Sequence, residues 1–207
     1  MRNTQNVFLE TIKIYEGRIR NLPYHQKRLE RTIQAHYPGA NIPELKAHLL
    51  SIPTAGTYKC RVLYTDRIQT ITFEHYIPKQ IRTFTIIESD IDYAYKYANR
   101  RALEHLKKSV DTDEIIIQKE GLLTDTSYSN LAFHDGSVWV TPRTPLLEGT
   151  MRNKLLKEGK LQQADIGPDN LDQFYDIALI NAMIGFQVLK NARIFDSKGK
   201  LRFQNSG

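Results

Sequence analysis

Three times along this chain a β-rich run ends in a tight-turn signature and resumes beyond it, and that recurrence narrows the possible folds more than any other feature. Val7-Phe8-Leu9-Glu10-Thr11-Ile12-Lys13-Ile14-Tyr15 meets Glu16-Gly17-Arg18 and returns through Ile19-Arg20-Asn21-Leu22. The runs 57–64 and 68–76 join at Thr65-Asp66-Arg67, and Leu131-Ala132-Phe133 turns at His134-Asp135-Gly136 into Val138-Trp139-Val140. In the second hairpin, Tyr58, Cys60, Val62 and Tyr64 alternate with Lys59, Arg61 and Leu63, so Arg61 points away from the apolar face. Further strand candidates span 82–88, 113–119 and 176–181, with two short ones near the C-terminus. Helical patterns fall between them. One covers 24–36, capped at Asn21 with Pro23 in its first turn, carrying Leu29 and Ile33 four apart and stopped by Pro38-Gly39; a short one runs from Asn41 and Pro43 to Leu50. Another extends from about Ala98 to Lys108 on Leu103 and Leu106, and a last one follows Gly149 and ends near Gly159. Short turn-linked strands with interspersed helices predict an α+β fold. Pro78-Lys79-Gln80 and a shift in composition predict a small N-terminal α/β domain over 1–78 and a larger C-terminal domain over 79–207.

Composition removes several function classes. No apolar run approaches the roughly 18 residues of a membrane span, and Met1-Arg2-Asn3-Thr4-Gln5-Asn6 is followed by no apolar signal segment, so a cytoplasmic protein without membrane contact is expected. Cys60 is the single cysteine and lies in a strand pattern, which excludes an internal disulfide and predicts a buried, inert thiol. The six histidines have no ligand-like spacing, so no metal site is expected. A net charge of +6 with pI near 9.3 suits an anionic partner, and because the basic residues are scattered among acids, a small anionic molecule is expected in place of nucleic acid.

Chemistry concentrates in a few stretches. Lys96 stands in Asp90-Ile91-Asp92-Tyr93-Ala94-Tyr95-Lys96-Tyr97-Ala98-Asn99-Arg100, between a strand pattern and a helical one, with tyrosines close around it. A lysine amine becomes a nucleophile and a base when desolvation or a nearby cation lowers its pKa. His25, Arg28 and Arg31 recur every third residue and make one side of their helix cationic. In Gly149-Thr150-Met151-Arg152 a glycine at a helix start lets backbone amides approach an anion where the helix dipole favours negative charge. No Gly-x-Ser-x-Gly elbow is present.

Taken together and in order, these stretches resemble the fold-type IV pyridoxal-phosphate enzymes, the class IV aminotransferase family. The resemblance rests on Phe8-Leu9-Glu10-Thr11 with Glu16-Gly17-Arg18, His25-Gln26-Lys27-Arg28-Leu29, Lys96-Tyr97-Ala98-Asn99-Arg100, Gly121-Leu122-Leu123-Thr124-Asp125 with Ser129-Asn130, Leu147-Glu148-Gly149-Thr150-Met151-Arg152, and Asn181-Ala182-Met183-Ile184-Gly185. It implies a two-domain fold like that of D-amino-acid aminotransferase, with a truncated N-terminal domain, and a homodimer. Pyridoxal 5'-phosphate is the implied cofactor. Lys96 would carry it as a Schiff base, Arg28 would pair with its phosphate, and the amides of Thr150 and Met151 with the Asn181-Ala182 turn would complete the phosphate cradle. Asp125 falls where the family places a glutamate against the pyridine nitrogen, and it is one methylene shorter. Within the family, Lys-x-x-Asn-Arg and Asn-Ala-Met-x-Gly look most like the aminodeoxychorismate lyases, which implies elimination of pyruvate from 4-amino-4-deoxychorismate to leave 4-aminobenzoate for folate synthesis. The alternatives are an aminotransferase acting on a small or branched-chain amino acid, and a family member without catalysis. Two departures bear on the substrate: the chain begins almost directly at Phe-x-Glu-Thr, and Thr65-Asp66-Arg67 replaces a glycine-containing Thr-Arg-Gly loop.

Overall fold

A computed structural model of the chain describes residues 6–206. Contacts divide it into two compact units, one of residues 1–78 with 95–99 and the other of residues 79–94 with 100–207.

The first unit holds a four-stranded antiparallel sheet ordered β2-β1-β3-β4, built from β1 (Phe8–Tyr15), β2 (Arg18–Ile19), β3 (Thr57–Tyr64) and β4 (Ile68–His75). Glu16 and Gly17 both take positive φ, 47° and 67°, the left-handed pair that a two-residue hairpin requires. In β1 the residues Phe8, Glu10, Ile12 and Ile14 face inward, and the register sets Phe8 opposite Tyr64 and Ile12 opposite Cys60. Helix α1 (Leu22–His36) covers that face with Leu29 and Ile33, both fully buried. Each such side chain contributes about 1.5–3 kcal/mol. Asn21 is the N-cap residue in the left-handed region, at φ 54°, without a side-chain capping bond. The short helix expected from Asn41 to Leu50 shrinks to α2 (Leu45–His48), which buries Leu45. Its single turn is too short to stand on propensity, so packing alone sets its length.

The second unit is a larger sheet. Its path is β10-β9-β8-β7-β6-β5-β13-β14, formed by β5 (Thr83–Glu88), β6 (Glu114–Lys119), β7 (Leu122–Thr126), β8 (Asn130–His134), β9 (Trp139–Pro142), β10 (Gln162–Ala164), β13 (Arg193–Phe195) and β14 (Leu201–Gln204). β11 (Asp176–Asn181) pairs with the full length of β8 and with β12 (Gly185–Val188). The other edge of β8 is shared: Asn130 pairs with Asp125 of β7, and Phe133 and His134 pair with β9. Leu131, Phe133, Ile177 and Leu179 face the main core, whereas Ala132, Ala178 and Ile180 face helix α4 (Thr150–Lys157) and its Leu155. β5 and β6 are parallel and are joined through α3 (Arg101–Lys108). The unbroken run Ile115-Ile116-Ile117, fully buried, is what a strand covered on both faces requires. A 3-10 turn over Pro168–Gln173 completes the unit. Among the described residues no helix is long and apolar enough to cross a membrane.

Candidate active site

In the first unit, β1 places an acid where its alternation calls for an apolar side chain. Glu10 sits between Phe8 and Ile12 on the inward face and is fully buried. A bare carboxylate is costly there, and α1 supplies its partners from one side of the helix. Arg28 Nε donates to Oε1 at 2.8 Å and Arg28 Nη2 to Oε2 at 2.6 Å, a two-pronged contact, while His25 Nδ1 lies 2.6 Å from Oε2. Burial pushes the Glu10 carboxyl up, but the charge and bonds of Arg28, with His25, outweigh it and hold it at about 2. Burial lowers the pKa of His25 against the pull of Glu10, and the charges of Arg28 and Lys96 lower it further.

Lys96 reaches this neighbourhood through its backbone. Leu9 N donates to Lys96 O at 2.9 Å, Ala98 N donates to Val7 O at 2.8 Å, and Tyr97 bridges Phe8 in an antiparallel sense. The segment 95–99 thus adds a strand-like piece beside the start of β1. Pairing with β1 commits backbone groups that a helix would need, so the helix expected from Ala98 begins at Arg101. Tyr95 and Tyr97 pack with Phe8 and His36: the Phe8–Tyr97 centroids are 5.2 Å apart, and His36 meets Tyr95 edge-on at 4.5 Å. They anchor the segment that carries the lysine. Tyr93, the third tyrosine of the sequence cluster, belongs to the other unit and is buried there.

The second unit gathers Asp125, Thr150, Met151, Asn181 and Ala182. Asp125, one residue before the end of β7, lies opposite Asn130 and is 4% exposed. Its Oδ1 accepts from Asn130 Nδ2 at 2.7 Å and its Oδ2 from Leu147 N at 2.8 Å. Burial nevertheless pushes its carboxyl up to about 7, against those bonds and the charge of Arg152. Gly149 precedes α4, and Asn153 N donates to Gly149 O at 2.9 Å to begin the helix on Thr150 and Met151. A Cβ at Gly149 would fall 1.9 Å from Asn130 Oδ1, so only glycine fits. Arg152, in the first turn, is buried and donates to Pro142 O at 2.7 Å, tying α4 to the end of β9. At the end of β11, Asn181 Oδ1 accepts from Met183 N at 2.8 Å and Ile184 N at 3.0 Å, which shapes the turn through Ala182. A cavity of about 310 Å³ also opens in this unit, lined by Tyr93, Leu122, Thr124 and Leu146 among others.

Glu10, Ser129 and Asn130 join these clusters although the sequence assigned them no role, and His25 had been placed only on the cationic side of its helix. The signal for Glu10 was present: an acid at an inward position of an alternating strand demands a cation, and His25 and Arg28 stand on a cationic helix side.

Both units have the α+β architecture of the fold-type IV enzymes. The amino-transferase class IV family model matches residues 92–191. An uncharacterised protein of Haemophilus influenzae is 38% identical over 182 residues, spanning 85% of this chain and 97% of its own. The crystal structure of a putative 4-amino-4-deoxychorismate lyase from Haemophilus somnus superposes with TM-score 0.80 and 37% identity, covering 87% of this chain and 98% of that one. A hypothetical aminotransferase from Mycobacterium tuberculosis in its PLP-bound form shares the fold at TM-score 0.75 and 14% identity, over 95% of this chain and 83% of that one. The chain belongs to the class IV aminotransferase family.

Proposed function

We propose that this chain is a pyridoxal-phosphate-dependent lyase that converts 4-amino-4-deoxychorismate to 4-aminobenzoate and pyruvate. The observation that carries the reading is the 37% identity running over 98% of the Haemophilus somnus chain. The residues also fit the cofactor. Lys96 offers an amine on a segment fixed by backbone pairing, and Gly149 starts α4 with no side chain of its own at the cap. Asp125 is a buried acid whose pKa burial has raised, so a protonated ring nitrogen beside it would restore its charge. Pyridoxal phosphate, when bound, supplies the electron sink for a carbanion formed next to the substrate nitrogen.

The rest falls to the chain. Lys96 holds the cofactor through Nζ. Once the substrate's amino group displaces it, the same amine would take the proton from the substrate carbon that bears the amino group and return a proton to the departing three-carbon fragment, which leaves as pyruvate. Arg28, fixed side-on by Glu10, binds the phosphate, and the amides of Thr150 and Met151 with the Asn181-Ala182 turn complete its cradle. Asp125 would pair with the ring nitrogen from a side chain one methylene shorter than the family's glutamate. The +6 charge suits a small anionic, amino-acid-like substrate in the cytoplasm. The working form is a homodimer.

Aminotransfer is the second reading, favoured by the fold shared with the Mycobacterium tuberculosis aminotransferase. Uptake of pyridoxal phosphate tests the common part: the wild type turns yellow and borohydride fixes the cofactor to the protein, whereas Lys96→Ala gains no fixed cofactor. A protein that stays colourless overturns the reading. Dependence of product on added 2-oxoglutarate separates aminotransfer from the lyase.

A further inference from the structure

Ser129 closes the turn between β7 and β8 and Asn130 opens β8, and both reach outward to other backbone turns. Asn130 Nδ2 donates to Asp125 Oδ1 at 2.7 Å and to Leu147 O at 2.8 Å, while Leu147 N donates to Asp125 Oδ2 at 2.8 Å. The two facing side chains therefore hold both the N–H and the C=O of Leu147, as a neighbouring strand would. Two residues further on, Asn130 Oδ1 takes the space where any side chain at Gly149 would begin. On the other arm, Ser129 Oγ accepts from Asn181 Nδ2 at 2.8 Å, and Asn181 Oδ1 in turn accepts from Met183 N and Ile184 N. The turn itself is closed by Thr126, whose N donates to Ser129 O at 2.9 Å and whose Oγ1 accepts from Ser129 N at 2.9 Å. Ser129 and Asn130 are each 5% exposed, so water replaces none of these contacts cheaply.

We infer that Asn130 and Ser129 are positioning residues of the cofactor site: one hairpin turn sets both the start of α4, through Leu147 and Gly149, and the Asn181-Ala182 turn. This rests on the cofactor reading above. Asp125 accordingly has two tasks, since the carboxyl proposed to face the ring nitrogen also clamps Leu147. The shorter side chain suits the clamp, because a glutamate would push its carboxyl one methylene past the Leu147 amide. The two arms also explain Gly149: its backbone conformation, φ −68° and ψ 139°, is open to any residue, and only the pinned Asn130 amide forbids a Cβ.

The test titrates apo protein with pyridoxal 5'-phosphate and, in parallel, records the thermal midpoint of each apo variant. Asn130→Ala and Ser129→Ala each weaken pyridoxal phosphate binding on the order of tenfold or more at temperatures where the apo protein is folded, since lost pre-organisation appears as lost affinity. Gly149→Ala weakens binding by a similar factor in the wild type and by little in the Asn130→Ala background, where the space has been vacated. Ser129→Ala removes one hydroxyl and keeps the inference testable if Asn130→Ala does not fold. Binding by folded Ser129→Ala or Asn130→Ala within about twofold of wild type, or an equal cost of Gly149→Ala in both backgrounds, overturns the inference while leaving the cofactor reading intact. Failure of the wild type itself to take up the cofactor overturns both, which marks the two failures apart.

Discussion

Replacing Glu10 with glutamine removes the carboxylate that Arg28 and His25 both address, in a place where neither partner can turn to water. The magnitude follows from its titration. Glu10 drops from 4.5 to about 2 on folding, burial opposing and Arg28 with His25 prevailing. A depressed acid stabilises the fold above its unfolded pKa and loses that contribution as pH falls through the folded one. At about 1.36 kcal/mol per unit, the contribution at pH 7 is about 3 kcal/mol, in the range of about 3–5 kcal/mol lost when a buried pair is broken from one side. For a chain of this size that is roughly 6–12 °C in melting temperature. Urea unfolding of wild type and Glu10→Gln measures it directly. The difference is expected to be about 3 kcal/mol at pH 7, less than half of that at pH 3, and close to zero below pH 2. A difference that stays constant with pH, or one under about 1 kcal/mol at neutrality, would refute the claim that an ionised Glu10 organises this cluster.

Asp125 gives the opposite profile. Its carboxyl is pushed up to about 7 by burial, so the folded apo protein holds a proton that the unfolded chain releases near pH 4, and stability falls as pH rises from about 4 to 7. Asp125→Asn should flatten that slope in apo thermal melts, and an unchanged slope assigns the drift elsewhere. Cys60 is fully buried, and burial lifts its thiol to about 12, so a thiol reagent should label it only at the rate of unfolding; fast native labelling contradicts its placement. Phe133 is fully buried against Phe174 at 5.2 Å, and Phe133→Ala should cost about 3–5 kcal/mol in chemical denaturation.

The hairpins were legible in the sequence because their turn residues are local: Glu16, Gly17 and Gly136 take positive φ wherever the chain places them. Helix ends were less legible. The segment 95–99 carries a helical pattern's first residues, yet β1 captures its backbone, and a partner some ninety residues away in sequence leaves no mark on local periodicity. β7 and the short β10 were missed for the same reason, since their identity as strands comes from neighbours. Lys96, Arg28 and Asp125 could be chosen because each is a reactive type within a motif. Glu10 and Asn130 act through other residues, and such roles are written in distances between side chains.

The proposed reaction is a carbon–oxygen elimination that needs no amino acceptor. Protein loaded with pyridoxal phosphate and given 4-amino-4-deoxychorismate alone should release pyruvate and 4-aminobenzoate in equal amounts, followed by coupled lactate dehydrogenase and by the aminobenzoate fluorescence, and Lys96→Ala should release neither. Absence of pyruvate from loaded wild type, or its appearance only when an oxo acid is added, would overturn the lyase function.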